Sequence, residues 1–312
     1  MQRIRMVWVW TMILTAWANA QPGQYKNGFD VSNALIDVNE IFHGGPPKDG
    51  IPAIDHPKFI AVSKVDYLKE DDIVIGVVRG DKQRAYPLRI LVWHEIVNDT
   101  FDKKALAITY CPLCGTAMVF EREINDEVKT FGVSGLLYQS DVLMYDRQSQ
   151  SLWSQLAMKA ISGKDVNTPL KWIASEHLTW RAWREKYPDS LILSTDTGFR
   201  RHYQQQAYAA YFASDKTMFP VKKTRQELSN KEKVLGVIVE GQAKAYPLNK
   251  LPDNQPVHDT IGTKQVVIHY DRKTHFPRFT SAAGEDIPAV VVFWFAWQAF
   301  YPQTKLWDKR TH

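Results

Sequence analysis

Residues 73–110, IVIGVVRGDKQRAYPLRILVWHEIVNDTFDKKALAITY, recur as residues 233–270, KVLGVIVEGQAKAYPLNKLPDNQPVHDTIGTKQVVIHY, with no gap and a constant offset of 160. Fourteen of the 38 aligned positions are identical, among them Ala85-Tyr86-Pro87-Leu88 against Ala245-Tyr246-Pro247-Leu248. A second landmark keeps the order: Trp180-Arg181-Ala182-Trp183 followed by Tyr187-Pro188 returns as Trp294-Phe295-Ala296-Trp297 followed by Tyr301-Pro302. Its offset is 114, so the second copy is shorter by 46 residues between its landmarks. Self-similarity of this kind marks a duplicated supersecondary unit.

Each copy opens on a β-branched run, Val74 to Val78 and Val234 to Ile238. A charged or glycine-containing turn and a second stretch ending at Tyr-Pro follow, which is the pattern of a hairpin. A brief helix is expected from Leu88 and from Leu248, because proline is well placed at the start of a helix. The Trp, Trp and Tyr of the second landmark fall at i, i+3 and i+7, one face of an amphipathic helix that proline then ends. The pattern predicts a β-rich α+β fold, an internally duplicated unit of strand hairpins ending in a Trp-rich helix. Residues 21–203 form the first copy with an irregular, Gly- and Pro-rich N-terminal segment. Residues 204–232 lose the strand rhythm and read as a connection, and 233–312 are the second copy.

A chain of 312 residues has room for about two domains and for cores that need no disulfide staples. Arg3 and Arg5 precede the uncharged, mostly apolar run from Met6 to Ala18, which ends in Ala18-Asn19-Ala20. That order predicts a secretory leader, residues 1–20, cleaved after Ala20, and a mature chain in the periplasm or outside the cell. Without those two arginines, 37 basic residues face 34 acidic ones, too weak an excess to argue for a nucleic-acid partner. The uncharged run from Ile287 to Thr304 holds Pro288, Gln298 and Pro302 and maps onto an Arg-rich helix of copy one, so no membrane span is expected in the mature chain.

Chemistry is concentrated in Cys111-Pro112-Leu113-Cys114-Gly115, between two strand-like stretches. Two thiolates at this spacing on a tight turn grip one metal ion, and the following glycine lets the backbone turn beneath the sulfurs. A redox dithiol or a plain disulfide has the same spacing. Under the 160 offset, His94, Glu95, Cys111 and Cys114 face Asn254, Gln255, Asp271 and Thr274, so the candidate ligands are absent together from copy two. His94 is therefore the expected third ligand and Glu95 an orienter of its imidazole. Met144, in a Leu-Met-Tyr run, is the soft fourth ligand that would favour copper, whereas Asp146 would suit zinc. The histidines of copy two, His258 among them, are further candidates.

Several segments resemble the domain of unknown function 3179 family: Tyr110 through Ala117 (YCPLCGTA), Trp93 through Thr100 (WHEIVNDT), Ser134 through Asp141 (SGLLYQSD) with Met144-Tyr145-Asp146-Arg147, and Ser151 through Gln155 (SLWSQ). The likeness extends from about Ile54 to Trp307 and includes Asp196-Thr197-Gly198-Phe199 and Phe219-Pro220-Val221. One departure is Ala157-Met158, where the resemblance implies Thr-Gly. It implies an exported or membrane-associated bacterial or archaeal protein and supplies no reaction.

The sequence thus points to an exported transition-metal-binding protein, copper before zinc, built on Cys111, Cys114 and His94 with Met144 or Asp146. Three protein ligands and an open position would make a catalytic site, and four a carrier or structural site. A thiol–disulfide oxidoreductase and a non-catalytic binding module are the alternatives. No phosphate-binding glycine loop or Ser-His-Asp order stands out.

Overall fold

The computed structural model describes residues 24–222 and 225–309; the expected leader lies outside them. The hairpin signals hold. Ile73–Arg79 pairs with Lys82–Pro87, and Lys233–Val239 with Gln242–Pro247, in the same antiparallel register, so that Gly76 faces Ala85 as Gly236 faces Ala245. The α+β class does not hold. The chain is mostly β, 42% strand and 11% helix, in a five-blade, propeller-like arrangement. The two Trp-rich helices exist, Trp180–Lys186 and Trp294–Phe300, but each has only 7 residues and plugs a sheet instead of forming a layer.

The blades follow from the repeat. Blade 1 carries Ile73–Arg79, Lys82–Pro87, Glu176–Thr179, Leu191–Leu193 and Phe59–Ala61; blade 2 carries Ile96–Phe101, Lys104–Cys111, Thr116–Glu121 and Trp172–Ile173. Blades 4 and 5 repeat them: Lys233–Val239, Gln242–Pro247, Ala289–Phe293 and Lys305–Leu306 in blade 4, and Val257–Ile261, Lys264–Asp271 and Phe276–Ser281 in blade 5. Blade 3 has no counterpart. Its strands Phe131–Tyr138, Asp141–Asp146, Leu152–Ser154 and Lys159–Ser162 lie within the stretch where copy one is 46 residues longer, and Ile41–His43 adds a fifth strand at its edge.

The identities of the repeat are packing rules. A Cβ on Gly76 would come within 2.0 Å of the Trp183 ring, and one on Gly236 within 2.4 Å of Trp297, so each glycine makes the seat for its copy's tryptophan. Both rings are buried, and each indole N–H donates across a tight turn, to Ser190 Oγ at 2.8 Å and to Thr304 Oγ1 at 2.9 Å. Removing a side chain of this kind costs about 3–5 kcal/mol. The Tyr-Pro tyrosines donate to buried aspartates, Tyr86 to Asp99 and Tyr246 to Asp259, both at 2.6 Å.

The two copies also interlock by one rule applied twice. Glu176–Thr179 lies against Phe276–Ser281, and its counterpart Ala289–Phe293 lies against Thr116–Glu121. Thr179 N–H donates to Thr274 O, and Phe293 N–H to Cys114 O, each at 2.9 Å. The cysteine turn of copy one is thus docked by a strand end of copy two, and the core around it joins blades 2, 3 and 4.

Candidate metal centre

Strands Lys104–Cys111 and Thr116–Glu121 pair up to Cys111 opposite Thr116, leaving Pro112 through Gly115 as the turn. Gly115 has φ +62, and a Cβ there would meet the Phe293 ring at 3.0 Å. Its counterpart His275 has φ +57 and faces the smaller Thr179 in place of Phe293, so it is the ring that makes glycine necessary here. Leu113 O accepts from Tyr211 OH at 2.8 Å, and Cys114 O from Phe293 N–H and Thr116 Oγ1. Both sulfurs are thereby fixed on one side of a turn whose carbonyls are spoken for.

The third member of the group comes from blade 3. Its hairpin turns through Gln139 and Ser140, both with positive φ, and the next residue is Asp141. Sγ of Cys111, Sγ of Cys114 and a carboxylate oxygen of Asp141 lie within 4.8 Å of one another, all three residues buried, a group able to hold a metal ion. Both thiols point at Ser140 O, Cys114 at 3.2 Å and Cys111 at 3.7 Å. Asp141 Oδ2 accepts from Leu156 N–H at 2.9 Å, while Oδ1 is buried without a hydrogen-bond partner among the described residues.

Glu95 stands beside this group. It takes the left-handed conformation, φ +58, directly after the short helix Leu88–Leu91 and its turn, and its carbonyl accepts from Tyr110 N–H at 2.7 Å. The residue is 7% exposed, and its carboxyl forms no ion pair with another described residue. Burial, and then the charge of Asp141, push it up to about 8. Burial likewise raises Asp141 to about 7 and lifts both thiols above their usual range. Four acids meet in a low-dielectric space, none of them in an ion pair among the described residues, so each is held toward its neutral form.

The expected ligands are distributed differently. His94 Nδ1–H donates to Pro52 O and Nε2 accepts from Tyr203 OH, both at 2.8 Å, so both ring nitrogens are engaged and burial lowers the imidazole to about 4. Asp146 accepts from Ser149 N–H, Ser149 Oγ and Trp153 Nε1 within its own hairpin. Met144 is buried opposite Trp153 in blade 3, in the same core as the cysteines. His258 lies on Val257–Ile261 of blade 5. The structure therefore brings together Cys111, Cys114 and Asp141, with Glu95 adjacent as a carboxylate in its own right. Asp141 closes the Ser-Gly-Leu-Leu-Tyr-Gln-Ser-Asp segment, and that segment was the available signal for it. The connection covers the group from outside: the Tyr211 hydroxyl holds Leu113, Phe219 O accepts from Ser140 Oγ, and Tyr208 packs on the same core.

No helix among the described residues is long and apolar enough to cross a membrane. Residues 48–286 match the family model described as protein of unknown function (DUF3179). No curated protein and no solved structure matches the chain.

Proposed function

The chain belongs to the DUF3179 family, and on that premise we propose that it is an exported metal-binding protein whose centre is formed by Cys111, Cys114 and Asp141, with Glu95 poised to complete it. The observation that carries this reading is the buried group itself: two sulfurs and a carboxylate oxygen of Asp141 within 4.8 Å of one another, none of them in an ion pair among the described residues. A divalent cation reverses the electrostatics, stabilising as anions the same four groups that burial holds neutral. Three protein ligands and an adjacent acid are the composition of a site with one exchangeable position.

The carboxylate bears on the metal. Copper rests on a thioether, and Met144 shares the core of the cysteines, but a carboxylate oxygen of Asp141 lies within 4.8 Å of both sulfurs, and two thiolates with a hard oxygen suit zinc. We therefore place zinc ahead of copper. Thiol–disulfide exchange is the second reading. It fits less well, because the turn leads into a strand and not a helix, and burial raises both thiols where an exchanging cysteine needs a lowered one.

The test is metal analysis of the reduced full chain after anaerobic loading with equal zinc and copper. One equivalent of zinc in the parent, lost in Cys111→Ser and in Asp141→Asn, is the expected result. Less than about a tenth of an equivalent of either metal, with both thiols open to alkylation, would overturn the reading.

A further inference from the structure

Arg122 directly follows strand Thr116–Glu121 of blade 2, and at the 160 offset Ala282 directly follows Phe276–Ser281 of blade 5. The backbone is alike at both places. Leu106 pairs with Asp99 and Glu121 as Val266 pairs with Asp259 and Ser281. Arg122 N–H donates to Ala105 O at 3.0 Å, and Ala282 N–H to Gln265 O at 3.1 Å. In copy one the arginine side chain is buried across this hairpin. Its Nε donates to Asp99 O at 3.3 Å and Leu106 O at 3.2 Å, Nη2 to Asp99 O at 3.1 Å, and Nη1 to Lys129 O at 2.8 Å. In copy two the side chain stops at a methyl.

A cavity of about 410 Å³ lies there, lined by Lys244, Asp259, Thr260, Gln265, Val266 and Ala282 among others. At the 160 offset these are Arg84, Asp99, Thr100, Ala105, Leu106 and Arg122, the arginine itself and the residues around it. The cavity opens to solvent. Gln265 and Ala282 are exposed where Ala105 and Arg122 are buried, and copy two has no blade 3, the blade into which Lys129 leads. The acid beside it is kept. Asp259 accepts from Tyr246 OH at 2.6 Å and Lys244 at 2.5 Å, as Asp99 accepts from Tyr86 OH at 2.6 Å and Arg84 at 2.7 Å. One cation on this aspartate leaves room for a second: in copy one burial works against the charge of Arg122, and Asp99, already paired with Arg84, is the first charge to offset it, followed by Asp55.

We propose that this cavity is a binding site for a guanidinium group brought by another molecule, its N–H groups donating to Asp259 O and Val266 O as those of Arg122 donate to Asp99 O and Leu106 O. The acceptors select guanidinium over ammonium. Two N–H groups on one edge of the guanidinium plane reach a single carbonyl in copy one, a fork that the point charge of an ammonium does not reproduce.

Titration of the isotope-labelled full chain with methylguanidinium, free arginine and N-acetyl-arginine methylamide, each up to about 20 mM, tests this through the amide shifts of Thr260, Gln265 and Ala282. Methylammonium and lysine are the controls. We expect saturable shifts with a midpoint of about 1–10 mM for the guanidinium ligands, and binding at least about tenfold weaker for the ammonium ones. The tighter of free and capped arginine tells a small guanidino compound from an arginine of a partner chain. Ala282→Arg supplies the group from within, as copy one does, and should abolish the saturation while the shifts of blades 1 to 3 stay in place. No saturable shift with any guanidinium ligand, equal binding of methylammonium, or undiminished binding by a folded Ala282→Arg would each overturn the proposal. Should that variant fail to fold, the contrast between the two cation classes on the parent chain decides alone.

Discussion

Replacing Gly115 with alanine should damage the cysteine turn by an amount that can be divided into two parts. The left-handed φ of +62 costs an L-residue about 1–2 kcal/mol wherever it occurs. The new methyl would also sit 3.0 Å from the Phe293 ring, which is buried and whose N–H is tied to Cys114 O, and overpacking of this sort costs about 1–3 kcal/mol more. Gly80→Ala isolates the first part, because Gly80 has φ +57 and nothing within 4 Å of its Cβ position. Urea unfolding of the reduced, metal-free protein should therefore give a loss of about 2–5 kcal/mol for Gly115→Ala against about 1–2 for Gly80→Ala. In a Phe293→Thr background, which copies the Thr179 found at the matching point of copy one, Gly115→Ala should cost no more than Gly80→Ala. Zinc affinity should fall in Gly115→Ala, since the ring and Cys114 move together, and should be untouched in Gly80→Ala. Equal losses for the two glycines, or a Gly115→Ala loss that Phe293→Thr fails to reduce, would refute the account of how the turn is held.

Asp141→Asn should weaken zinc at least about tenfold while Met144→Leu leaves it unchanged, measured by competition with a chromophoric chelator. His177 is lowered to about 4 in the folded chain from an ordinary 6.5, so its contribution is full above 6.5 and is lost as pH falls toward 4. His177→Val should flatten that part of the stability profile by about 3 kcal/mol in denaturant titrations between pH 7 and pH 4, and an unaltered profile would exclude the buried neutral imidazole. Trp297→Ala should cost about 3–5 kcal/mol by the same measurement. Mass spectrometry of the protein from its native envelope fraction should find a chain beginning at Gln21; an intact Met1 would contradict export.

The repeat was legible because its identities are steric and polar necessities: a glycine under a tryptophan, a tyrosine on an aspartate. Chain order alone exposed them. The chain is mostly β where the pattern predicts α+β, because the Trp, Trp, Tyr spacing describes a helix without saying how short it is, and a helix of two turns can be a plug in a sheet. Within the repeat, blade 3 registers only as excess length, since nothing in copy two matches it, and its motifs stand out only through the family resemblance. The site was half legible for a related reason. Cys111 and Cys114 are local in sequence, but their carboxylate arrives by a hairpin whose turn, Gln139-Ser140, lacks the Asn-Gly or Asp-Gly signature that would have marked it. Asp146 was the more visible choice and is consumed by its own loop. His94 stood at a suggestive position, yet Pro52 and Tyr203, distant in sequence, take both of its nitrogens.

Blade 3 carries a consequence for how such a chain could have come to possess chemistry. The sulfurs sit on the duplicated scaffold, whereas Asp141 belongs to the stretch that only one copy has. A precursor made of two matching halves would have had the cysteine hairpin at most, facing open space where the blade 3 hairpin now turns. It is the inequality of the two copies, the stretch that only copy one carries, that encloses the thiols and sets Asp141 over them, so the chemistry of this centre belongs to the asymmetry of the chain and not to its repeat.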